Sequence, residues 1–147
     1  CENDDNSYGA LSDLKLKQDI TLANSQWEDV RDLSKLVVNF RFKHQIENAE
    51  QARAKVIADG HPEWADQYPD PSFNLGLIAQ EAEEISPKLI EDNPDTEMDE
   101  DAIPRPTGTS TKSLKYSVLY MKAFKALGEA LIRIEELETK VEALENA

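Results

Sequence analysis

The chain has 147 residues, a length that suits one domain of ordinary size. Acidic residues outnumber basic residues 30 to 16 and give a net charge of −14, which argues against a nucleic-acid backbone or an anionic membrane surface as a partner. The single cysteine, Cys1, excludes an internal disulfide and a cysteine-based zinc site. No apolar run reaches the roughly 18 residues that a membrane span needs.

Residues 1–11 are polar and acidic and contain few side chains that build a core. We interpret them as the stub of a passenger that lies upstream. A cysteine followed by an acidic spacer is also typical of the start of a mature bacterial lipoprotein, in which Cys1 would carry the lipid. We expect the folded part to begin at Ser12.

Residues 12–110 are predicted to form a small globular part of α+β class. Ile20 and Leu22 alternate as in a short strand, and apolar residues then recur at helical spacing over residues 27–37. Phe40 and Phe42 return to the alternation that is typical of a strand.

The middle of the chain continues with short elements. Helix-favouring residues occupy 51–57, and a loop with three prolines follows over 61–71. An apolar strand is predicted over 73–79 and a helix over 80–85. Gly76 lies inside that strand, where a missing side chain indicates close approach of another group.

Residues 91–101 hold seven acids and no base, and they predict a solvated acidic loop that extends to Gly108. Four of the acids alternate as at the start of a calcium-binding loop: Asp95, Glu97, Asp99 and Asp101. Position six of that pattern is Glu100 rather than glycine, and position twelve is Pro106 rather than glutamate. We therefore predict neither a metal nor a cofactor site.

Residues 111–147 are predicted to form a C-terminal coiled-coil helix that is capped by Ser117. An apolar heptad pattern runs along this segment. Its seam positions a and d carry Leu127, Ile134, Leu137, Val141 and Leu144.

The flanking heptad positions indicate parallel self-association. Arg133 and Lys140 at position g each precede a glutamate at position e by five residues, Glu138 and Glu145. Isoleucine and valine at position a with leucine at position d favour a coiled coil of two helices. Phenylalanine and leucine at two earlier e positions, 124 and 131, widen the stripe and favour more neighbours or docking on the globular part.

Ser12 and Lys17 form a candidate nucleophile and general base. A serine hydroxyl needs such a base, and a lysine must be neutral to accept the proton, which burial or a neighbouring cation such as Lys15 favours. Residues five apart lie on opposite faces of a strand and about 140° apart on a helix. The two side chains therefore meet only across a turn, or between chains.

Three segments occur in a familiar order before the predicted coiled coil. Residues 12–20 read Ser-Asp-Leu-Lys-Leu-Lys-Gln-Asp-Ile, residues 76–81 read Gly-Leu-Ile-Ala-Gln-Glu, and residues 112–119 read Lys-Ser-Leu-Lys-Tyr-Ser-Val-Leu. The chain from Ser12 onward resembles the endosialidase-type intramolecular chaperone domain. That domain lies at the C-terminus of phage tail fibres and tailspikes, and it also occurs in myelin regulatory factor.

The resemblance implies a function for each part. Such domains form homotrimers, help an upstream fibre passenger to fold, and then release themselves by autoproteolysis. Carried over, Ser12 is the nucleophile, Lys17 the base and Leu11–Ser12 the cleaved bond, with Asp13 and Lys15 in support. The protein would be part of a tail-fibre precursor that assembles in the host cytoplasm.

Two positions depart from the family pattern. Lys15 stands where the family usually has arginine, and this keeps the charge but loses the planar fork. Asn74 stands where many members have histidine. Two further hypotheses remain at this stage: a trimerisation module without peptidase activity, and a lipid-anchored oligomeric envelope protein.

Overall fold

The computed structural model describes residues 12–147, which form four α-helices and two two-stranded antiparallel sheets. The predicted mixture of helix and sheet with a long C-terminal helix is confirmed. The elements in chain order are α1 (Trp27–Ser34), β1 (Val38–Phe40), α2 (Lys43–Ala58), β2 (Asn74–Gly76), α3 (Ala79–Ile85), β3 (Ile90–Met98), β4 (Pro104–Leu114) and α4 (Tyr116–Glu145). Short 3-10 turns cover Leu14–Leu16, Pro62–Gln67 and Pro87–Leu89.

The first half of the described chain follows the order of the predicted elements, with differences in their bounds. Phe42 precedes α2 and is not in a strand, and the predicted strand over 73–79 covers only Asn74–Gly76. Helix α1 forms on the predicted apolar spacing, and β1 pairs with β2 in the register Val38 to Gly76. The predicted strand at Ile20 and Leu22 is wrong, since no residue between 17 and 26 is in a strand and Leu22 is 95% exposed. Alternating residues form a strand only when a partner strand takes up their backbone hydrogen bonds.

Helix α2 is longer than the predicted 51–57, because residues 43–50 are also compatible with a helix and contain no proline or glycine. None of its own side chains is buried. The guanidinium of one α2 side chain bonds to the loop that follows the helix. Arg53 donates to the Tyr68 carbonyl at 2.7 Å and to Asp70 Oδ1 at 2.9 Å.

The predicted acidic loop is wrong, because residues 90–114 form a β-hairpin of strands β3 and β4. Carboxylates of this hairpin accept hydrogen bonds from side chains on its other strand. Asp95 accepts hydrogen bonds from the Thr111 and Thr109 hydroxyls at 2.6 and 2.7 Å, and these bonds lower the pKa of Asp95. At the tip, Asp99 accepts from the Ile103 amide at 2.8 Å and from Arg105 Nε at 2.9 Å. These partners offset the local acidity that favours a loop.

The core is small and lies where α1, α3 and the base of the hairpin meet. Its buried residues are Leu33, Ala82, Leu89 and Ile90. Further side chains cover it in part, from Leu77 just after β2, from α3, from the end of β4 and from the start of α4. Burying a large aliphatic side chain stabilises a fold by about 1.5–3 kcal/mol. A core with so few buried side chains therefore contributes little to the free energy of unfolding.

Helix α4 has 30 residues and is therefore about 45 Å long. It begins at Tyr116, so residues 111–114 belong to β4 and not to the predicted C-terminal helix. The predicted N-cap at Ser117 is wrong as well. The cap residue is Lys115, whose amide donates to the Leu89 carbonyl at 2.8 Å and fixes the helix start against the core. Within residues 12–147, no helix is both long and apolar enough to cross a membrane.

Candidate functional site

A single 3-10 turn, Leu14–Leu16, separates Ser12 from Lys17. Asp13 begins the turn, and its Oδ1 accepts a hydrogen bond from the Lys15 amide at 3.0 Å. The Lys17 amide closes the turn by donating to the Leu14 carbonyl at 3.0 Å. An aspartate in this position satisfies an amide that the turn leaves without a backbone partner, which is why Ser-Asp-Leu-Lys folds back here.

The turn brings the two candidate catalytic side chains into contact. Lys17 Nζ donates a hydrogen bond to Ser12 Oγ at 2.8 Å. A turn is one of the two ways in which residues at this spacing can meet. At this distance the hydroxyl and the amine are placed for proton transfer between Oγ and Nζ.

The surroundings of this pair are open to solvent. Residues 12–25 are all exposed. Lys15 Nζ lies 3.9 Å from Asp13 Oδ2, so the supporting lysine pairs with the residue that caps the turn. Leu11, the other half of the expected cleavage site, lies outside the described residues.

The two later motifs support the fold. A Cβ atom at Gly76 would lie 3.0 Å from Cε1 of Phe40 on the neighbouring strand, so the predicted close approach at this glycine is confirmed. Lys112 of the third motif lies 3.0 Å from Glu83 on α3 and 3.0 Å from Asp92 on β3. Asp92, and then Glu83, raises the pKa of Lys112, and the lysine ties the hairpin to α3. Sequence reasoning missed this role, since neither partner is near Lys112 in the chain.

The five predicted seam residues lie on one face of α4, and each is at least half exposed in the single chain. They are Leu127, Ile134, Leu137, Val141 and Leu144. A different face of α4 packs on α1, and the sequence gives no local sign of this contact. A coiled coil uses apolar faces of this kind.

Polar side chains anchor α4 beside α1. Glu129 accepts from the Ser25 hydroxyl at 2.7 Å and from the Gln26 amide at 3.0 Å. These two bonds, the serine hydroxyl first, lower the pKa of Glu129. Lys122 Nζ lies 2.9 Å from Asp29, and the Arg133 guanidinium stacks 3.7 Å above the Trp27 ring. Arg133, expected to pair with a neighbouring chain, therefore also contacts its own domain.

Within residues 12–147, the structure contains no group of three or more His, Cys, Asp or Glu side chains that could hold a metal ion. One of the two histidines, His61, stacks on Trp64 at 3.8 Å. Its Nδ1 lies 3.1 Å from Glu63.

No protein-family model matches the sequence, and no curated protein matches it significantly. The interpretation of the site therefore rests on the residues themselves, on their order in the chain and on the geometry described above.

Proposed function

We propose that this domain is a self-releasing intramolecular chaperone that trimerises, assists the folding of an upstream phage tail-fibre passenger, and then cuts the Leu11–Ser12 bond. The observation that carries the proposal is the 2.8 Å contact between Lys17 Nζ and Ser12 Oγ. Five-residue spacing does not produce this contact within a regular helix or strand, so the capped turn is needed to create it.

The chemistry requires only these two side chains and water. Neutral Lys17 takes the proton from the Ser12 hydroxyl, and Oγ attacks the carbonyl carbon of Leu11. The peptide C–N bond breaks as the serine nitrogen takes up a proton from the lysine, leaving an ester between the Leu11 acyl group and Ser12 Oγ. Water then hydrolyses the ester, which frees the Leu11 carboxylate and restores the serine hydroxyl.

Assembly is the step that would switch the reaction on. Both side chains are exposed in the single chain, where water favours the charged ammonium form of lysine. A neighbouring protomer that covers the turn would remove this water and favour the neutral amine. Cleavage would then follow folding and trimerisation, as a chaperone that releases its passenger requires.

Mass spectrometry of the full precursor, passenger included, tests the proposal. The parent should yield a fragment that begins at Ser12. Ser12→Ala, Lys17→Met and Lys17→Arg should all remain uncut but assembled, since arginine keeps the charge and cannot serve as a base. Lys43→Met, which changes an exposed lysine of α2, is the matched control and should be cut. Release by the Lys17→Arg variant at the parental rate would exclude Lys17 as the base.

A second candidate function is a trimerisation clamp without peptidase activity. The exposure of the pair in the single chain favours it. The same experiment separates the two functions, because an assembled parent precursor that stays uncut would establish the clamp.

A further inference from the structure

Two large apolar side chains stand on α4 where a coiled coil normally carries charge. Phe124 is 72% exposed and Leu131 is 53% exposed, and both occupy position e of the heptad pattern. Position e usually carries glutamate or lysine, as it does in this helix at Glu138. Phe124 and Leu131 cannot reach α1 of their own chain, because Ala126, which packs on α1, lies about 160° round the helix from Phe124.

The flank of α4 that packs on α1 contains two joined apolar grooves. The first has a volume of about 350 Å³ and is lined by residues that include Leu33, Val37 and Leu119. The second, of about 360 Å³, is lined by residues that include Trp27 and Ala126. Val30, Ser34 and Ala123 line both grooves, so together they form one channel along the boundary between α1 and α4.

The heptad register aligns these features between chains. In a parallel coiled coil, each g position faces the e position five residues later on the neighbouring chain. Leu119 and Ala126 occupy g, so they face Phe124 and Leu131 of the neighbour. Leu119 lines the first groove and Ala126 lines the second. The next g position, Arg133, faces a glutamate, so the pairing changes from apolar to charged where the grooves end.

We propose that the channel between α1 and α4 is the docking site for a second copy of this chain, with Phe124 of the neighbour in the first groove and Leu131 in the second. This inference rests on the parallel self-association in the proposed function. It adds that the assembly interface extends beyond the coiled coil to α1. The globular part of one protomer is thereby fixed against the helix of the next.

A cysteine pair tests the contact directly in a Cys1→Ser background. Ser34→Cys places a thiol in the first groove, and Phe124→Cys places one on the residue proposed to fill it. Within one chain, position 124 lies about 160° round α4 from Ala126 on the flank that packs on α1. Oxidation of the assembled full chain should give covalent dimers and trimers. Ser34→Cys with Met121→Cys is the matched control, because Met121 is exposed at the outward position b and should give none.

Sedimentation of single variants gives a second measurement that needs no thiol. Phe124→Ala should raise the dissociation constant of the assembly by roughly tenfold or more, as truncation of a buried aromatic anchor does. Met121→Ala should leave it unchanged.

The outcomes separate this inference from the proposed function. Assembled protein that does not cross-link through position 124 and tolerates Phe124→Ala overturns the docking site and leaves trimerisation standing. A parent chain that remains monomeric overturns both. Oxidation products that join position 34 only to position 34, or position 124 only to position 124, also overturn the docking site.

Discussion

Asp13 holds the Ser12–Lys17 turn together, because its carboxylate accepts from the Lys15 amide at 3.0 Å. Losing such a cap costs about 1 kcal/mol, so Asp13→Ala should slow cleavage by about fivefold. Asp13→Asn keeps an oxygen acceptor and should cut at close to the parental rate. The rates can be read from the mass-spectrometric appearance of the fragment that begins at Ser12. Equal rates for all three proteins would show that the turn forms without its cap.

Gly76 tests whether the central motif is structural. A Cβ atom here would meet the Phe40 ring at 3.0 Å, so Gly76→Val should overpack the contact and lower the free energy of unfolding by about 1–3 kcal/mol. Gly128→Ala is the control, because its Cβ meets nothing within 4 Å and should stabilise the helix by up to about 1 kcal/mol. Denaturant unfolding measures both. A stable Gly76→Val protein that has lost cleavage would instead place this strand in the active site.

At the scale of elements, the two helices with strong local periodicity, α1 and α4, could be predicted from the sequence. The β3–β4 hairpin could not, because the donors that stabilise Asp95 lie at Thr109 and Thr111, beyond the reach of any local pattern. The contact of Ser12 with Lys17 could be predicted only in part. The five-residue spacing shows that the two side chains need a turn to meet within one chain, but the turn itself depends on a single side chain, the Asp13 carboxylate.

The attachment of α4 to α1 should depend on pH through Glu129. Its pKa is below the ordinary value of 4.5, chiefly because of the Ser25 hydroxyl and then the Gln26 amide. A carboxylate whose pKa is lower in the folded protein than in the unfolded chain stabilises the fold at pH values above its unfolded-state pKa. This contribution is lost as the pH falls through its folded-state pKa. The stability of the parent should therefore fall below pH 4.5.

Two variants isolate this contribution. Glu129→Gln removes the titrating group, and Ser25→Ala removes the donor that lowers the pKa most. Thermal unfolding followed from neutral to acidic pH should show a smaller acid-induced loss of stability in both variants than in the parent. Parallel profiles for all three proteins would contradict the contribution of Glu129.

At the scale of the molecule, the chain exposes more surface than a compact monomer. Its accessible area is 12547 Å², whereas a compact monomer of 16.6 kDa exposes about 7,600 Å². The seam of α4, with Ile134 and Val141 half exposed, contributes to this excess. Association would bury this apolar area, and it must outweigh the repulsion between copies that each carry a net charge of −14.

Placing charge on the seam tests whether assembly controls cleavage. Ile134→Asp with Val141→Asp puts unpaired carboxylates at buried heptad positions and should weaken association by several kcal/mol. Ile132→Asp with Thr139→Asp adds the same charge at the outward position f and serves as the matched control. Ser12 and Lys17 are unchanged in both proteins.

The most direct measurement is the cleavage rate of each precursor as a function of protein concentration, with sedimentation of the same samples. The parent and the position-f control should assemble, and their cleavage should rise with concentration to a plateau. The seam variant should remain monomeric and uncut. A monomeric seam variant that cuts itself at the parental rate would contradict the account, because the catalytic pair would then act without a neighbouring chain.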